Sequence, residues 1–166
     1  MLRCRGFSLI EILIVVMILG IVASVIIPQF TNASQEAREN ALKDDLRYLR
    51  TQIEVYSAQH SDVPPGYPDG NLSETPTEAA LVAQLTQRTN RAGQTSATSN
   101  PAYPFGPYFD RFPTNAINGK HTVRIETTDI EPTIDGTSGW IYIVPKRRII
   151  ANVMGVDSSG TPYANY

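Results

Sequence analysis

From Leu9 to Ile27 the chain reads LIEILIVVMILGIVASVII, in which Glu11 is the only charged residue and Ser24 the only other polar one. As a helix this run spans about 28 Å, close to the roughly 30 Å hydrocarbon thickness of a bilayer. Beyond Pro28 the continuous apolar pattern becomes periodic. Phe30, Ala33, Ala37, Ala41, Leu42, Leu46, Leu49, Ile53 and Tyr56 recur every three or four positions, with Lys43, Asp44, Arg47, Arg50 and Glu54 largely between them. That spacing is an amphipathic helix with one wet face. The pattern predicts one long helix from Phe7 to about His60, kinked at Pro28, where a missing N–H and the ring clash interrupt the ladder. Its halves are a membrane-spanning segment, 7–28, and an amphipathic segment, 29–62.

The rest, 63–166, reads as a head. Val63-Pro64-Pro65-Gly66-Tyr67-Pro68-Asp69-Gly70 marks a loop. Thr75-Pro76-Thr77-Glu78 reads as an N-cap, a first-turn proline and a capping-box glutamate, opening a short helix from Pro76 to about Thr86 with Ala79, Leu81, Val82 and Leu85 on its apolar side. The stretch 87–100 is almost free of apolar residues and is expected as a mobile surface loop with nothing to bury. Aromatics among prolines in 101–109 suggest a lid over a sheet. Strands are expected at 121–127, 139–144 and 147–153, the last two joined by a turn at Pro145-Lys146. Three antiparallel strands with the amphipathic helix across one face would bury Leu46, Leu49, Ile53, Val123, Ile125, Trp140 or Ile141, Tyr142 or Ile143, Ile149 and Ala151. The expected fold class is therefore α+β, a long N-terminal helix packed on a small antiparallel sheet of about three strands.

Composition removes several functions. At 166 residues the chain suits one domain, and a net charge of −2 with no basic stripe gives nucleic acid no surface. The single Cys4 excludes an internal disulfide, and one Cys with the distant His60 and His121 makes no zinc site. There is no Gly-x-Ser-x-Gly, no phosphate-cradling loop ending in Lys-Ser or Lys-Thr and no His-Glu-x-x-His, so no enzyme is expected. Arg3 and Arg5 precede the apolar run and the next basic residue is Arg38, which places the N-terminus in the cytoplasm and the head across the membrane. A cleaved signal peptide would use Val22-Ala23-Ser24, but the chain continues into Val25, Ile26 and Ile27. A lipoprotein anchor needs a Cys after the run, whereas Cys4 precedes it. Processing before the run, at Gly6, would leave the helix on the mature protein.

Arg5-Gly6-Phe7-Ser8-Leu9-Ile10-Glu11, followed by the apolar helix and Pro28, resembles the N-terminal motif of type IV pilins and type II secretion pseudopilins. The resemblance implies a leader, 1–6, cut after Gly6 by a prepilin peptidase that then methylates the amine of Phe7. A carboxylate in an apolar span costs about 2.5 to 3.5 kcal/mol on insertion scales and calls for a cationic partner. The amine of Phe7, in the same chain or in a neighbour staggered by about one turn, would supply it. Pairing between subunits would leave Glu11 uncompensated in the isolated protein and neutralised in a filament. The plainer reading places Glu11 near enough to the interface to meet water.

Gly106-Pro107-Tyr108-Phe109-Asp110-Arg111-Phe112-Pro113 and the following Asn115-Ala116-Ile117-Asn118-Gly119 are similar to the segment where major pseudopilins enter their sheet. Those proteins usually carry an Asp-Pro-Trp-Gly-like turn at this point. Since major pseudopilins often bind calcium near the C-terminus, Asp129, Glu131, Asp135 and Asp157 are the candidate calcium ligands, their alternative being simple solvation. The resemblance implies a pilin-like structural subunit of a pseudopilus in type II secretion. Its implied partners are copies of itself, other pseudopilins, the prepilin peptidase, a membrane platform protein, a cytoplasmic assembly ATPase and inner-membrane lipid, with the assembled filament in the periplasm. The alternatives are a type IV pilin for adhesion or motility, and a membrane-anchored periplasmic binding or enzymatic domain.

Overall fold

The structure, a computed structural model, describes residues 8–166, except for the side chains of residues 27, 28 and 30–32. Gly6 and Phe7 lie outside the described residues. The chain divides into two units, Met1–Ala37 and Arg38–Tyr166. Helix α1 (Leu9–Gln59) contributes to both. It ends one residue before the expected limit, where Ser61 and Asp62 take positive φ of 58° and 68° and the Asp62 N–H donates to the Ser57 carbonyl.

Within 38–166 the periodic stripe does what its spacing predicts: Leu42, Leu46, Leu49, Ile53 and Tyr56 are buried. They pack in one cluster with Trp140, Tyr142, Ile149 and Ala151 of a three-stranded sheet. That sheet is β3 (Val123–Glu126), β4 (Trp140–Ile143) and β5 (Arg148–Ala151), in that order. Successive residues of a strand point to opposite faces, and the expected choice within each pair resolves accordingly. Trp140 and Tyr142 join the α1 side, whereas Ile141 and Ile143 form a second cluster with Ile150, against which Ile134 packs.

The expected all-antiparallel order is corrected in one pair. β4 and β5 are antiparallel, joined by the short turn at Val144–Lys146, but β3 pairs with β4 in parallel, Val123 opposite Trp140. Parallel neighbours need a return connection of about a dozen residues, and 127–139 supplies it without a helix. Side chains hold this connection instead: Arg124 bonds Asp135 and the Thr133 carbonyl, and Asn152 Oδ1 accepts the N–H groups of Asp135 and Gly136.

Two other expectations shift. Helix α2 (Glu78–Thr86) starts two residues later than predicted, capped by Thr77 rather than Thr75, the Thr77 side chain accepting the Ala80 N–H. Glu78 closes no capping box; its carboxylate accepts the Val123 N–H at 2.8 Å and so fixes the start of β3. Leu81 and Leu85 are buried as expected, together with Gln84, while Ala79 faces outward. The stretch 87–100 is a folded element rather than a mobile loop. It holds a two-residue hairpin, β1 (Arg88–Thr89) with β2 (Thr95–Ser96). Asn90 Oδ1 accepts the N–H groups of Ala92 and Gln94 across the turn. Gln84 donates to the Gly93 carbonyl at 3.0 Å. What these residues lack in apolar area they recover in hydrogen bonds. Gly70 fits against this turn at φ 71°, where a Cβ would stand 1.8 Å from the Ala92 oxygen.

His60, 1% exposed, closes α1 on the head. Its Nδ1–H donates to the Tyr56 carbonyl at 2.7 Å, its Nε2 lies 3.0 Å from Thr89 Oγ1, and its ring stacks on Tyr56 at 3.8 Å. Burial lowers its pKa below the usual 6.5, outweighing the bond to Tyr56.

Two outcomes follow from this core. Leu49→Ala removes a fully buried side chain and is expected to cost about 2–5 kcal/mol, read as a lowered midpoint of thermal unfolding followed by the near-ultraviolet signal of Trp140. A histidine whose folded pKa is depressed contributes nothing against stability above 6.5. As pH falls below that value the unfolded chain takes up a proton that the native head refuses, so stability declines until the lower folded pKa is reached. The melting temperature should therefore fall between pH 7 and 5, and His60→Asn should flatten that slope.

Candidate functional site

The candidate site starts at the described edge of the N-terminal segment. Leu9–Ile26 is helical, exposed along its whole length, and long and apolar enough to cross a membrane. Leu9, Ile10, Ile12, Leu13, Ile14, Val15 and Val16 each expose half or more of their surface. At about 25 cal/mol per Å2 of apolar area, a helix of this kind gains strongly from lipid or from other helices.

Glu11 has a local partner that the sequence reading did not foresee. Its Oε2 accepts the backbone N–H of Ser8 at 2.7 Å. Ser8 precedes the first helical residue and Glu11 is the third, so Ser8-Leu9-Ile10-Glu11 has the spacing of a capping box, whose glutamate satisfies an otherwise orphaned donor. The cationic partner expected for Glu11, the amine of Phe7, lies outside the described residues. The Ser8 amide and the positive end of the helix already meet part of the Glu11 charge, and its Oε1 has no partner among the described residues. The Ser-x-x-Glu pattern was the available signal. Gly6 and Phe7, the expected cleavage and methylation residues, lie outside the described residues, and α1 continues through Pro28.

Of the four candidate calcium ligands Asp129 and Glu131 meet, on the ammonium of Lys146, and the four form no common cluster. Asp129 pairs with Lys146 at 2.9 Å, and Glu131 pairs with Lys146 at 3.4 Å and Arg148 at 3.0 Å. Asp135 accepts from the N–H and hydroxyl of Thr137 and from Asn152, with Arg124 at 2.7 Å, and these bonds hold its carboxyl well below the usual carboxylate range. Asp157 accepts from the Tyr166 and Ser159 hydroxyls and from the N–H groups of Ser159 and Thr161, with the same consequence. The Gly136 and Thr137 carbonyls, which a hard cation would use, already accept from Lys120 Nζ at 2.7 and 3.2 Å. Among the described residues no group of three or more His, Cys, Asp or Glu could hold a metal. The residues do not fit calcium.

In place of a metal, side chains fasten the irregular parts of the head. The segment 115–119, which departs from the Asp-Pro-Trp-Gly pattern, does this with asparagines. Asn115, fully buried, donates to the Gly139 carbonyl, and Asn118 donates to the carbonyls of Ser138 and Asn152. Glu39, 2% exposed on α1, accepts from the N–H and hydroxyl of Ser158 and from the Tyr163 hydroxyl, drawing the C-terminal loop onto the helix. A glutamate amid Ala37, Asn40 and Ala41 looks solvated in sequence, and nothing local marks it as buried.

The prokaryotic N-terminal methylation motif matches residues 1–27. Type II secretion system core protein G of Dickeya chrysanthemi is 34% identical over 62 residues, 37% of this chain and 40% of that protein. The Escherichia coli K12 protein of the same name is 28% identical over 103 residues, 61% of this chain and 67% of that protein. The type IV major pilin protein PilA of Myxococcus xanthus is 28% identical over 156 residues, 80% of this chain and 67% of that protein. The chain thus spans about two fifths of the length of the first of these relatives. No solved structure matches it. The chain carries the N-terminal methylation motif of prepilins, has a pilin-like α+β architecture, and in sequence is similar to the type II secretion core protein G and to a type IV major pilin.

Proposed function

We propose that the chain is a structural subunit of a pseudopilus filament in type II protein secretion. A prepilin peptidase cuts after Gly6 and methylates the amine of Phe7. Leu9–Ile26 then holds the subunit in the inner membrane, N-terminus cytoplasmic and head periplasmic, until it polymerises through the first half of α1. The observation that carries this reading is the methylation motif, 1–27, which takes in an exposed apolar helix whose first turn holds a carboxylate.

Assembly exchanges lipid contact for contact between helices. The two are nearly equal in apolarity, so the selectivity must come from polar groups and packing. Glu11 is suited to that task. One oxygen caps its own helix, and the other is left for the Phe7 amine of a neighbouring subunit. Such a contact fixes the stagger between subunits more than it adds affinity. Pro28 is the position at which the helix bends most readily as it packs into a bundle. Extraction from lipid requires work from a cytoplasmic ATPase through a membrane platform protein, and other pseudopilins would complete the filament.

A second reading is a type IV pilin, and the similarity to PilA, which extends over 80% of the chain, supports it. A filament displayed beyond the cell, rather than retained in the periplasm, would decide for the pilus.

Mass spectrometry of the protein purified from its native membrane should find a chain beginning at N-methylated Phe7. A start at Met1 or after Ala23 would overturn the reading in favour of a tethered or secreted domain. Glu11→Gln keeps an acceptor for the Ser8 N–H but removes the charge. It should reach the membrane at the unsubstituted level while filament yield falls by about tenfold, the equivalent of ~1.4 kcal/mol per contact. Undiminished filaments would remove Glu11 from the assembly mechanism.

A further inference from the structure

We propose that two opposite flanks of α1 within the head, one basic and one acidic and aromatic, are complementary docking surfaces between successive copies of this chain. The proposal rests on the filament reading above and adds to it a contact between heads.

The basic flank is Lys43, Arg47 and Arg50, which with Thr51 and Tyr166 line a hollow of about 460 Å3. Lys43 is already engaged, its Nζ 4.4 Å over the Tyr166 ring and 3.7 Å from Asp157. Arg50 directs Nε and Nη2 to the backbone oxygens of Ile149 and Tyr166. Arg47 differs from both: it is exposed and has no ion pair or side-chain hydrogen bond among the described residues.

The acidic flank is a groove of about 630 Å3 lined by Asp45, Tyr48 and Asp110 together with the loop 107–109. Tyr48 is 47% exposed yet fixed, its hydroxyl donating to the Tyr108 carbonyl at 3.2 Å and its ring meeting Phe109 edge-on at 4.9 Å. Asp45 and Asp110 have no ion pair or hydrogen bond from their side chains among the described residues, and Asp44, which does not line the groove, stands on α1 between the two flanks. Arg111 opposes these two groove carboxylates with one charge. Burial and the neighbouring Asp44 push the Asp45 carboxyl up, as expected for a carboxylate lacking a cation. An aromatic face beside unpaired carboxylates is an environment that a guanidinium fills, stacking on the ring while donating to the acids. The chain itself carries that group, unpaired, on its other flank.

The geometry determines what such a contact builds. At 100° per residue Arg47 lies about 200° around the helix from Asp45, and the stripe of Leu42, Leu46 and Leu49 is committed to the core. A two-fold contact through either flank alone would set like charge on like charge. Joining the two flanks is heterologous: a joined pair keeps one free basic flank on one copy and one free acidic flank on the other, so the contact repeats from copy to copy.

The test uses the full-length chain in cells that assemble it. Arg47→Glu and Asp45→Arg should each lower the yield of sheared filaments about tenfold, since like charges face each other. The chain carrying both should recover to within about twofold, because every contact then holds a reversed pair. Asp110→Arg, in an exposed loop, repeats the Asp45 test without touching the helix. In a Cys4→Ser background, Arg47→Cys with Asp110→Cys in one chain should oxidise to a ladder of multimers, and either cysteine alone should stay monomeric. Filaments unaffected by the reversals and giving no ladder would overturn the docking while leaving the filament reading intact. Dimers from Arg47→Cys alone would overturn it as a like-on-like contact. Absence of filaments from the unsubstituted chain would remove both proposals.

Discussion

A three-stranded sheet with apolar residues on both faces cannot stand in water, and everything else in the head follows from how those faces are covered. One face, bearing Trp140, Tyr142, Ile149 and Ala151, takes the α1 stripe of Leu42, Leu46, Leu49, Ile53 and Tyr56. The other, bearing Ile141, Ile143 and Ile150, takes the return connection through Ile134. Three strands are the lower limit for an independent sheet even with such cover. The second half of α1 is therefore a structural wall of the head, its apolar stripe committed to the core.

The head fastens its loops with hydrogen bonds because it has little regular structure to do so. Asn115, Asn118 and Asn152 bind the parallel crossover, Gln84 joins the Gly66 N–H and the Tyr67 and Gly93 carbonyls, and Glu39 gathers the C-terminal loop. Each of these side chains is buried or half-buried, where an unpaired donor or acceptor would cost about 1–3 kcal/mol. Removing one strands several partners at once. The carboxylates that sequence alone offered to calcium are part of the same economy, answered by Arg124, Lys146, Arg148 and hydroxyls.

What could be read from the sequence was whatever repeats. The α1 stripe, the three strands and the buried pair Leu81 and Leu85 followed from periodicity, because burial imposes a period on apolar residues. The apolar run and its Gly-Phe-Ser-Leu-Ile-Glu start were equally legible. The parallel β3–β4 pair was not, since direction depends on a connection held by Asn152 and Arg124 rather than on any pattern within the strands. The hairpin at 88–96 was missed because its order comes from Asn90 and Gln84, and hydrophobicity gives no trace of it. Pro76 and Glu78 favour Thr75 as the cap by spacing, but Glu78 is engaged by the Val123 N–H at β3 and the cap falls to Thr77. Buried Glu39 had no signature, because its donors lie more than a hundred residues away.

The bond from Ser8 to Glu11 changes how the first turn should be understood. A carboxylate with no partner would resist entry into lipid, and its relief by a neighbour would then drive assembly by a large margin. Capped by an amide and set at the positive end of a helix, Glu11 carries a smaller penalty than an uncapped carboxylate would. What remains for a neighbour is one oxygen and a direction. A contact of that kind would discriminate between staggers without binding tightly, as the proposed filament subunit requires. Charge on the flanks of the head could discriminate in the same way, at a second level along the same helix.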